Sequence, residues 1–382
     1  MTSPVPAVVL TSLPPLEVAE RTARAWESVC SAGCDAFVVT DLIDLRWLTG
    51  FAGTAGLAVL HAGELTVVVD GRYAEQAAQQ LAAHGVEARL LEGRTRAEVR
   101  VLAQGALAGA TRIGLDAETV PWAQARDWSA AVAPAQLVPT TGVFGALRAV
   151  KDRGEVARVA SACALAGAAL ESVVGLLADE PTEREFAAEL EDRMRRAGAE
   201  GPSFDTIVAS GPNGALPHHR PGDRRILAGD LVVVDFGCVV DGYCSDMTRT
   251  VVVGEPTAAQ RDWIDLVAAA AAAGVAAVRP GATGGDVDAA ARGVIEAAGH
   301  GPEFVHGTGH GVGLRIHEAP WALPGSDDVL VPGNLITVEP GVYRFASGGV
   351  RIEDLVLVTD DGCRPLTTTP KDLPCPPSPR TT

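Results

Sequence analysis

Leu231-Val232-Val233-Val234-Asp235-Phe236-Gly237 and, after a short turn, Tyr243-Cys244-Ser245-Asp246-Met247-Thr248-Arg249-Thr250 form the stretch whose reading decides the fold. The first part is a continuous apolar run of strand length, rich in β-branched valine, and it ends on a carboxylate where one more apolar residue would fit. Asp241-Gly242, between the two parts, is a hairpin signal. A two-residue loop at Val240-Asp241 sets Asp235 opposite Asp246 with Cβ atoms about 5 Å apart, whereas a loop at Asp241-Gly242 makes them diagonal neighbours. In both registers the two aspartates share one face, because side chains alternate along a strand with a period of two. Two carboxylates on one buried face repel, so they must share a proton, meet Arg or Lys, or bind cations.

Further oxygen and nitrogen donors follow. His310 lies in His306-Gly307-Thr308-Gly309-His310-Gly311, Glu339 in Thr337-Val338-Glu339-Pro340-Gly341, and Glu353 in Val350-Arg351-Ile352-Glu353-Asp354. Singly, each has an ordinary reading: a strand-end Asp as a turn residue, a Glu before Pro-Gly as punctuation, a His in a Gly-rich loop as solvated. Jointly, four carboxylates and one imidazole suit a pair of hard or borderline divalent ions about 3.5 Å apart.

The joint pattern resembles the pita-bread metallopeptidases, the family of methionine aminopeptidase, Xaa-Pro aminopeptidase and Xaa-Pro dipeptidase (prolidase). Besides the stretches quoted above, it is carried by Asn213-Gly214-Ala215-Leu216-Pro217-His218, Ile316-His317-Glu318 and Gly341-Val342-Tyr343, in the family's order and over the last three-fifths of the chain. The resemblance implies that Asp235 chelates one metal, that Asp246 and Glu353 bridge two, and that His310 and Glu339 are terminal ligands of the other. It further implies that Glu339 transfers protons and that His218 and His317, which are not ligands, flank the substrate. His306, Tyr343 and Arg351 would orient ligands or contact substrate. The implied cofactors are two divalent ions; oxygen-rich ligation with a single His favours Mn²⁺, and Co²⁺ or Zn²⁺ fit the same donors.

The chain has 382 residues, enough for two domains, and at 47% hydrophobic it can bury a large core. A formal net charge of −17 argues against nucleic acid or an anionic membrane as partner. Seven scattered cysteines make neither a disulfide framework nor a zinc motif and read as reduced. The N-terminal Met1-Thr2-Ser3-Pro4-Val5-Pro6 does not read as a signal peptide. The alanine-rich run 267–278 is too short and too weakly apolar for a membrane span. The expected location is the cytoplasm.

Helix patterns at 16–31, 74–83, 96–107 and 121–131 alternate with strand-like runs at 36–39, 57–60, 65–69, 88–91 and 112–115, which makes the first part α/β. Trp47-Leu48-Thr49-Gly50-Phe51 and Asp70-Gly71-Arg72-Tyr73 resemble the N-terminal domain of creatinase, prolidase and Xaa-Pro aminopeptidase. A charged segment at 148–153 opens a long amphipathic helix, and Thr182 with Glu185 forms a capping box for the next. Helices at 257–278 and 285–298 end near Gly281 and Gly299, which fit the stop signal. The expected fold is therefore an α/β N-terminal domain over residues 1–148 followed by an α+β catalytic domain over 149–373, of pita-bread (creatinase/aminopeptidase-like) form by resemblance. A Pro-rich tail over 374–382 reads as disordered.

By resemblance the chain is an Xaa-Pro aminopeptidase, acting on peptides with proline in the second position and forming a homodimer. Xaa-Pro dipeptidase is the alternative. A strict dipeptidase must bind a free carboxylate with a cation, and none of Arg220, Arg344 and Arg351 is an evident clamp in the sequence. A creatinase-type hydrolase, or a non-catalytic pita-bread binding module, would lack ligands that this sequence keeps.

Overall fold

The computed structural model describes residues 12–375 and divides after Arg148 into two compact units. The expectations about the first six residues and about residues 376–382 lie outside the described residues.

The N-terminal unit contains α1 (Arg21–Ser31), β1 (Ala36–Val39), α2 (Leu42–Thr49), β2 (Leu57–His61), β3 (Glu64–Asp70), α3 (Ala74–Ala83), β4 (Arg89–Gly93), α4 (Arg96–Ala106), β5 (Arg112–Asp116), α5 (Trp122–Val132) and β6 (Gln136–Thr140), with α6 (Val143–Ala149) at the division. Its sheet has the order β4-β3-β2-β1-β5-β6. Strands β1, β5 and β6 run parallel, as do β3 and β4, and β2 is antiparallel to both of its neighbours. The all-buried valine runs of β1 and β3 are what a sheet covered on both faces requires. Helix α1 starts five residues later than the pattern indicates, and α2 and β6 are additions to it. Arg148 closes on Asp44, both buried, within this unit.

The second unit holds α7 (Arg153–Val173), α8 (Glu183–Arg196), β7 (Gly201–Pro202), β8 (Ile207–Ser210), β9 (Leu231–Phe236), β10 (Cys238–Val240), β11 (Tyr243–Cys244), β12 (Met247–Val252), α9 (Ala258–Ala277), α10 (Gly284–Ala297), β13 (Gly309–Gly311), β14 (Glu318–Ala322), β15 (Leu335–Val338), β16 (Gly341–Arg344), β17 (Gly348–Arg351), β18 (Asp354–Thr359) and β19 (Gly362–Pro365). Two helices precede strands twice over: α7 and α8 before the sheet β12-β9-β8, α9 and α10 before β14-β13-β15-β18-β19. This is the helix-backed antiparallel plan of the pita-bread form.

Asp152 with Glu155 caps α7, and Thr182 with Glu185 caps α8, each bonding reciprocally to the other's backbone N–H. Helix α7 with the short 3₁₀ turn after it is long and apolar enough to span a membrane, which the alanine-rich run is not. Here its apolar side chains, Leu165, Leu170 and Val173 among them, are packed with Phe186 of α8 and Val232, Val234 and Phe236 of β9, so it is a core helix. Helix α9 ends at Ala277 ahead of Pro280, so Gly281 is not its cap; Gly299, with φ +82°, does follow α10 as expected. The tail reading fails at Cys375. Its side chain is buried in the α7–α8 core and its carbonyl accepts from Gly254 N at 2.8 Å.

The hairpin resolves to the Asp241-Gly242 loop. Val240 pairs with Tyr243, and both loop residues have positive φ (+47° and +76°), the requirement of the turn whose twist matches paired strands. The same register continues through β9 and β12, where Asp235 pairs with Thr248 and Phe236 with Met247. Asp246 is thereby the diagonal neighbour of Asp235 on one face. Gly237 permits this, since a Cβ there would stand 1.9 Å from the Ser245 carbonyl oxygen.

Candidate metal centre

Five acidic or imidazole side chains converge, two from within strands and three from positions at strand ends. Asp235 is on β9, Asp246 precedes β12, His310 is the middle residue of β13, Glu339 follows β15, and Glu353 sits between β17 and β18. One oxygen each from Asp235, Asp246 and Glu353 lie within 4.8 Å of one another. His310 Nε2 is 3.5 Å from both Asp246 Oδ2 and Glu339 Oε1. Asp246 is therefore common to a set with Asp235 and Glu353 and a set with His310 and Glu339.

Glu353, Asp235 and His310 are each held by neighbours that leave one donor atom free. Glu353 Oε2 accepts from Thr248 Oγ1 at 2.8 Å, and the Glu353 carbonyl accepts from the fully buried Arg249, whose Nη2 also donates to Asp354 at 3.0 Å. Asp235 Oδ2 accepts from Arg351 Nη2 at 2.6 Å. His310 N donates to Thr337 Oγ1, and the ring contacts the Gly311 carbonyl through Nδ1 at 3.0 Å. That contact places the imidazole proton on Nδ1 and leaves the Nε2 lone pair toward Asp246 and Glu339. On the far side, Asp288 accepts from Thr308 N and Oγ1 and holds the glycine-rich loop that leads into His310.

Asp235 Oδ1, Asp246 Oδ1 and Glu353 Oε1 are buried without any hydrogen-bond partner among the described residues. Burial, and after it the charges of the neighbouring carboxylates, push Asp246 and Glu353 well above the ordinary carboxylate range, and burial pushes Glu339 up to about 8. Burial likewise pushes His310 down to about 4. Three orphaned oxygens and an unprotonated imidazole nitrogen in one place fit divalent cations, which would satisfy the oxygens and remove the carboxylate repulsion. Asp235, Asp246, His310, Glu339 and Glu353 would hold them.

The other residues singled out in the sequence surround this centre. His218 and His317 border a cavity of about 590 Å³ that also exposes Asp235, Asp246, His310 and Glu339. His317 packs edge-on against His310, with ring centroids 4.4 Å apart. His306, Tyr343 and Arg351 form a chain. His306 Nδ1 meets the Gly307 carbonyl, so Nε2 accepts from Tyr343 Oη at 2.8 Å; Tyr343 Oη accepts from Arg351 Nη1 at 2.7 Å, and Arg351 reaches Asp235. Burial lowers His306 to about 4 and raises Tyr343 to about 12, which keeps both neutral.

Sequence reading missed three residues. Thr248 and Asp288 support ligand-bearing segments, and Glu183 gathers the loop that carries His218. The only available signal for Thr248 was its pairing with Asp235 in the hairpin register; Asp288 and Glu183 sit on helices far from the motifs.

With this geometry in hand, the chain was compared with known proteins. Residues 157–360 match the model of metallopeptidase family M24, and residues 21–150 match the creatinase/prolidase N-terminal domain. The chain belongs to metallopeptidase family M24. It is 44% identical to the Xaa-Pro dipeptidase of Pyrococcus furiosus over 227 residues, 59% of this chain and 65% of that one. Its structure resembles that of the Xaa-Pro dipeptidase from Bacillus anthracis with a TM-score of 0.89 at 36% identity, covering 93% of this chain and 98% of the other. It also resembles the X-Pro aminopeptidase from Thermotoga maritima, with a TM-score of 0.83 at 32% identity and coverage of 91% and 99%.

Proposed function

We propose that this metallopeptidase is an Xaa-Pro dipeptidase that holds two divalent ions, Mn²⁺ by preference, between Asp235, Asp246, His310, Glu339 and Glu353. The observation that carries the metal reading is the set of three buried, unpartnered carboxylate oxygens facing an unprotonated His310 Nε2. When bound, the two ions supply a hydroxide nucleophile at neutral pH and polarise the scissile carbonyl. Asp246, common to the set with Asp235 and Glu353 and to the set with His310 and Glu339, would with Glu353 serve both ions, while Asp235 would hold one and His310 with Glu339 the other.

The remaining steps belong to side chains. Glu339, whose Oε1 also accepts from Thr337 Oγ1 at 3.3 Å, moves the proton from the nucleophile toward the leaving proline nitrogen. His218 and His317 stand at the cavity without being needed as donors to the cluster, and they stabilise the tetrahedral intermediate and position the substrate. The chain from His306 through Tyr343 and Arg351 fixes the orientation of Asp235.

The resemblance in sequence puts aminopeptidase first; the relatives favour dipeptidase, since dipeptidase, Xaa-Pro dipeptidase or prolidase is the name most of them carry. The arginines agree with the relatives. Arg344 is committed to Glu303 at 2.7 Å, and Arg351 to Asp235, Tyr343 and Thr248. Among the described residues lining the cavity, Arg220 is the remaining arginine, with a side chain 86% exposed and only a loose contact of 3.4 Å to the equally exposed Asp205. We assign it to the free carboxylate of a dipeptide, a reading supported by its position in the cavity lining without a tight ion pair. Oxygen-rich ligation supports Mn²⁺, seven unpaired cysteines support the cytoplasm, and the homodimer rests on the family resemblance.

The test is kcat/KM for Ala-Pro and Ala-Pro-Ala with Mn²⁺ present. The dipeptide is expected to be preferred by at least tenfold, and Arg220→Ala to lower that preference. Equal or better cleavage of the tripeptide returns the assignment to aminopeptidase.

A further inference from the structure

Glu183, the first residue of α8, has no exposed surface, and among the described residues every hydrogen bond to its side chain comes from the segment 210–222. Its Oε1 accepts from Ser210 N at 2.8 Å, Ser210 Oγ at 2.7 Å and Asn213 Nδ2 at 3.0 Å. Its Oε2 meets Asn213 Nδ2 at 3.2 Å, His219 Nε2 at 2.8 Å and Gly222 N at 3.2 Å. Arg224 Nη1 donates to Ser210 Oγ at 2.5 Å, which turns the Ser210 hydroxyl proton toward Glu183. The segment leaves the end of β8, forms a 3₁₀ turn at Gly211–Ala215, presents His218 and Arg220, and is caught again at Gly222.

The carboxylate is held charged. Burial works to raise its pKa, but the bonds from Ser210, Asn213 and His219 outweigh burial and leave it below the usual carboxylate range. Its place in the first turn of α8 favours the anion as well. An ionised carboxylate only accepts, so the His219 proton is on Nε2 and that ring is used as a strut. Its neighbour His218 is exposed at the cavity and has no hydrogen-bond partner among the described residues.

We propose that Glu183 is a positioning residue for the peptidase reaction: it ties 210–222 into one unit and so fixes His218 beside the metal donors, without itself lining the cavity. The proposal rests on the reading of His218 as a substrate-flanking imidazole. It also divides the adjacent histidines by role, His219 to the frame and His218 to the substrate.

The test is Glu183→Gln in the Mn²⁺-loaded enzyme. The amide sets donor against donor at either Ser210 or the His219–Gly222 pair, and a misplacement of about 1 Å in a catalytic constellation costs on the order of 10²-fold in rate. The expected result is kcat on Ala-Pro down by ~10²-fold, with bound metal per chain unchanged and faster amide hydrogen exchange at Ser210 and Gly222. His219→Gln, which keeps a donor at the Nε2 position, is expected to retain far more activity than His219→Ala. In a His218→Ala background, Glu183→Gln is expected to add little, because it acts through His218. Full multiplicative loss in that background, or wild-type kcat in Glu183→Gln, overturns the proposal. Should Glu183→Gln not fold, Asn213→Ala, which removes one strut, takes its place in the same cycle with the same two outcomes. Wild-type turnover in His218→Ala alone refutes the underlying reading of the site instead.

Discussion

Replacing Arg351 with Met tests how the centre is held together when metal is removed. Arg351 is 2% exposed and donates to Asp235 Oδ2, Tyr343 Oη and Thr248 Oγ1 at 2.6, 2.7 and 3.1 Å. Methionine matches its stem but leaves the Asp235 carboxylate buried with no cation beside it. Breaking a buried ion pair from one side costs about 3–5 kcal/mol. For a unit of this size that is a fall of about 6–20 °C in Tm. Scanning calorimetry on the chelated protein reads the fall directly. In the Mn²⁺-loaded protein the fall is expected to be smaller, since Asp235 then has cations to face. Asp235→Asn in the same background removes the stranded charge, so the double variant is expected to recover, with a coupling of about 2–3 kcal/mol. A metal-free Arg351→Met within 2 °C of wild type, or effects that add to within about 0.5 kcal/mol, would refute the reasoning.

The metal-free protein is expected to lose stability between pH 6.5 and 8. Glu339 is pushed up to about 8, so its contribution is complete below the unfolded carboxylate pKa and is lost as pH rises through the folded value. Over that window the loss is about 2 kcal/mol, a Tm drop absent from the loaded enzyme; a constant or rising Tm after chelation contradicts it. Gly237→Ala is expected to reduce bound metal as well as Tm, because its Cβ would meet the Ser245 carbonyl at 1.9 Å and force β9 and β12 apart between Asp235 and Asp246. Elemental analysis showing full metal content in a folded Gly237→Ala would remove that link between turn geometry and the centre.

What was legible in the sequence was whatever repeats with a short period. Asp235 and Asp246 share a face in either hairpin register, so their convergence followed from alternation alone, and only the choice of loop waited for the structure. The capping boxes at Asp152 and Thr182 are local in the same sense, the second with the Thr-x-x-Glu spacing and the first with Asp in the cap position. Glu183 was not legible, because its partners lie 27 to 39 residues away and nothing near it in the chain announces burial. Arg351 stood two residues from a ligand, but its bond to Asp235 spans 116 positions. Cys375 in a Pro-rich stretch gave no sign that the α7–α8 core would cover it. The eight-residue α2 is too short for a clear helical period; Asp41, which accepts from Ile43 N and Asp44 N, was its one signal.

The central claim is that turnover depends on two ions shared between the five donors. The direct measurement is a titration of the chelated protein with Mn²⁺, following bound metal per chain by elemental analysis and Ala-Pro hydrolysis in the same samples, for wild type and Asp246→Ala. The expected result is a wild type inactive without metal that reaches full activity as two ions bind per chain, and an Asp246→Ala that retains neither ion firmly, because that carboxylate belongs to both halves of the centre. Full activity in wild type stripped of metal, or unchanged metal stoichiometry in Asp246→Ala, would contradict the account.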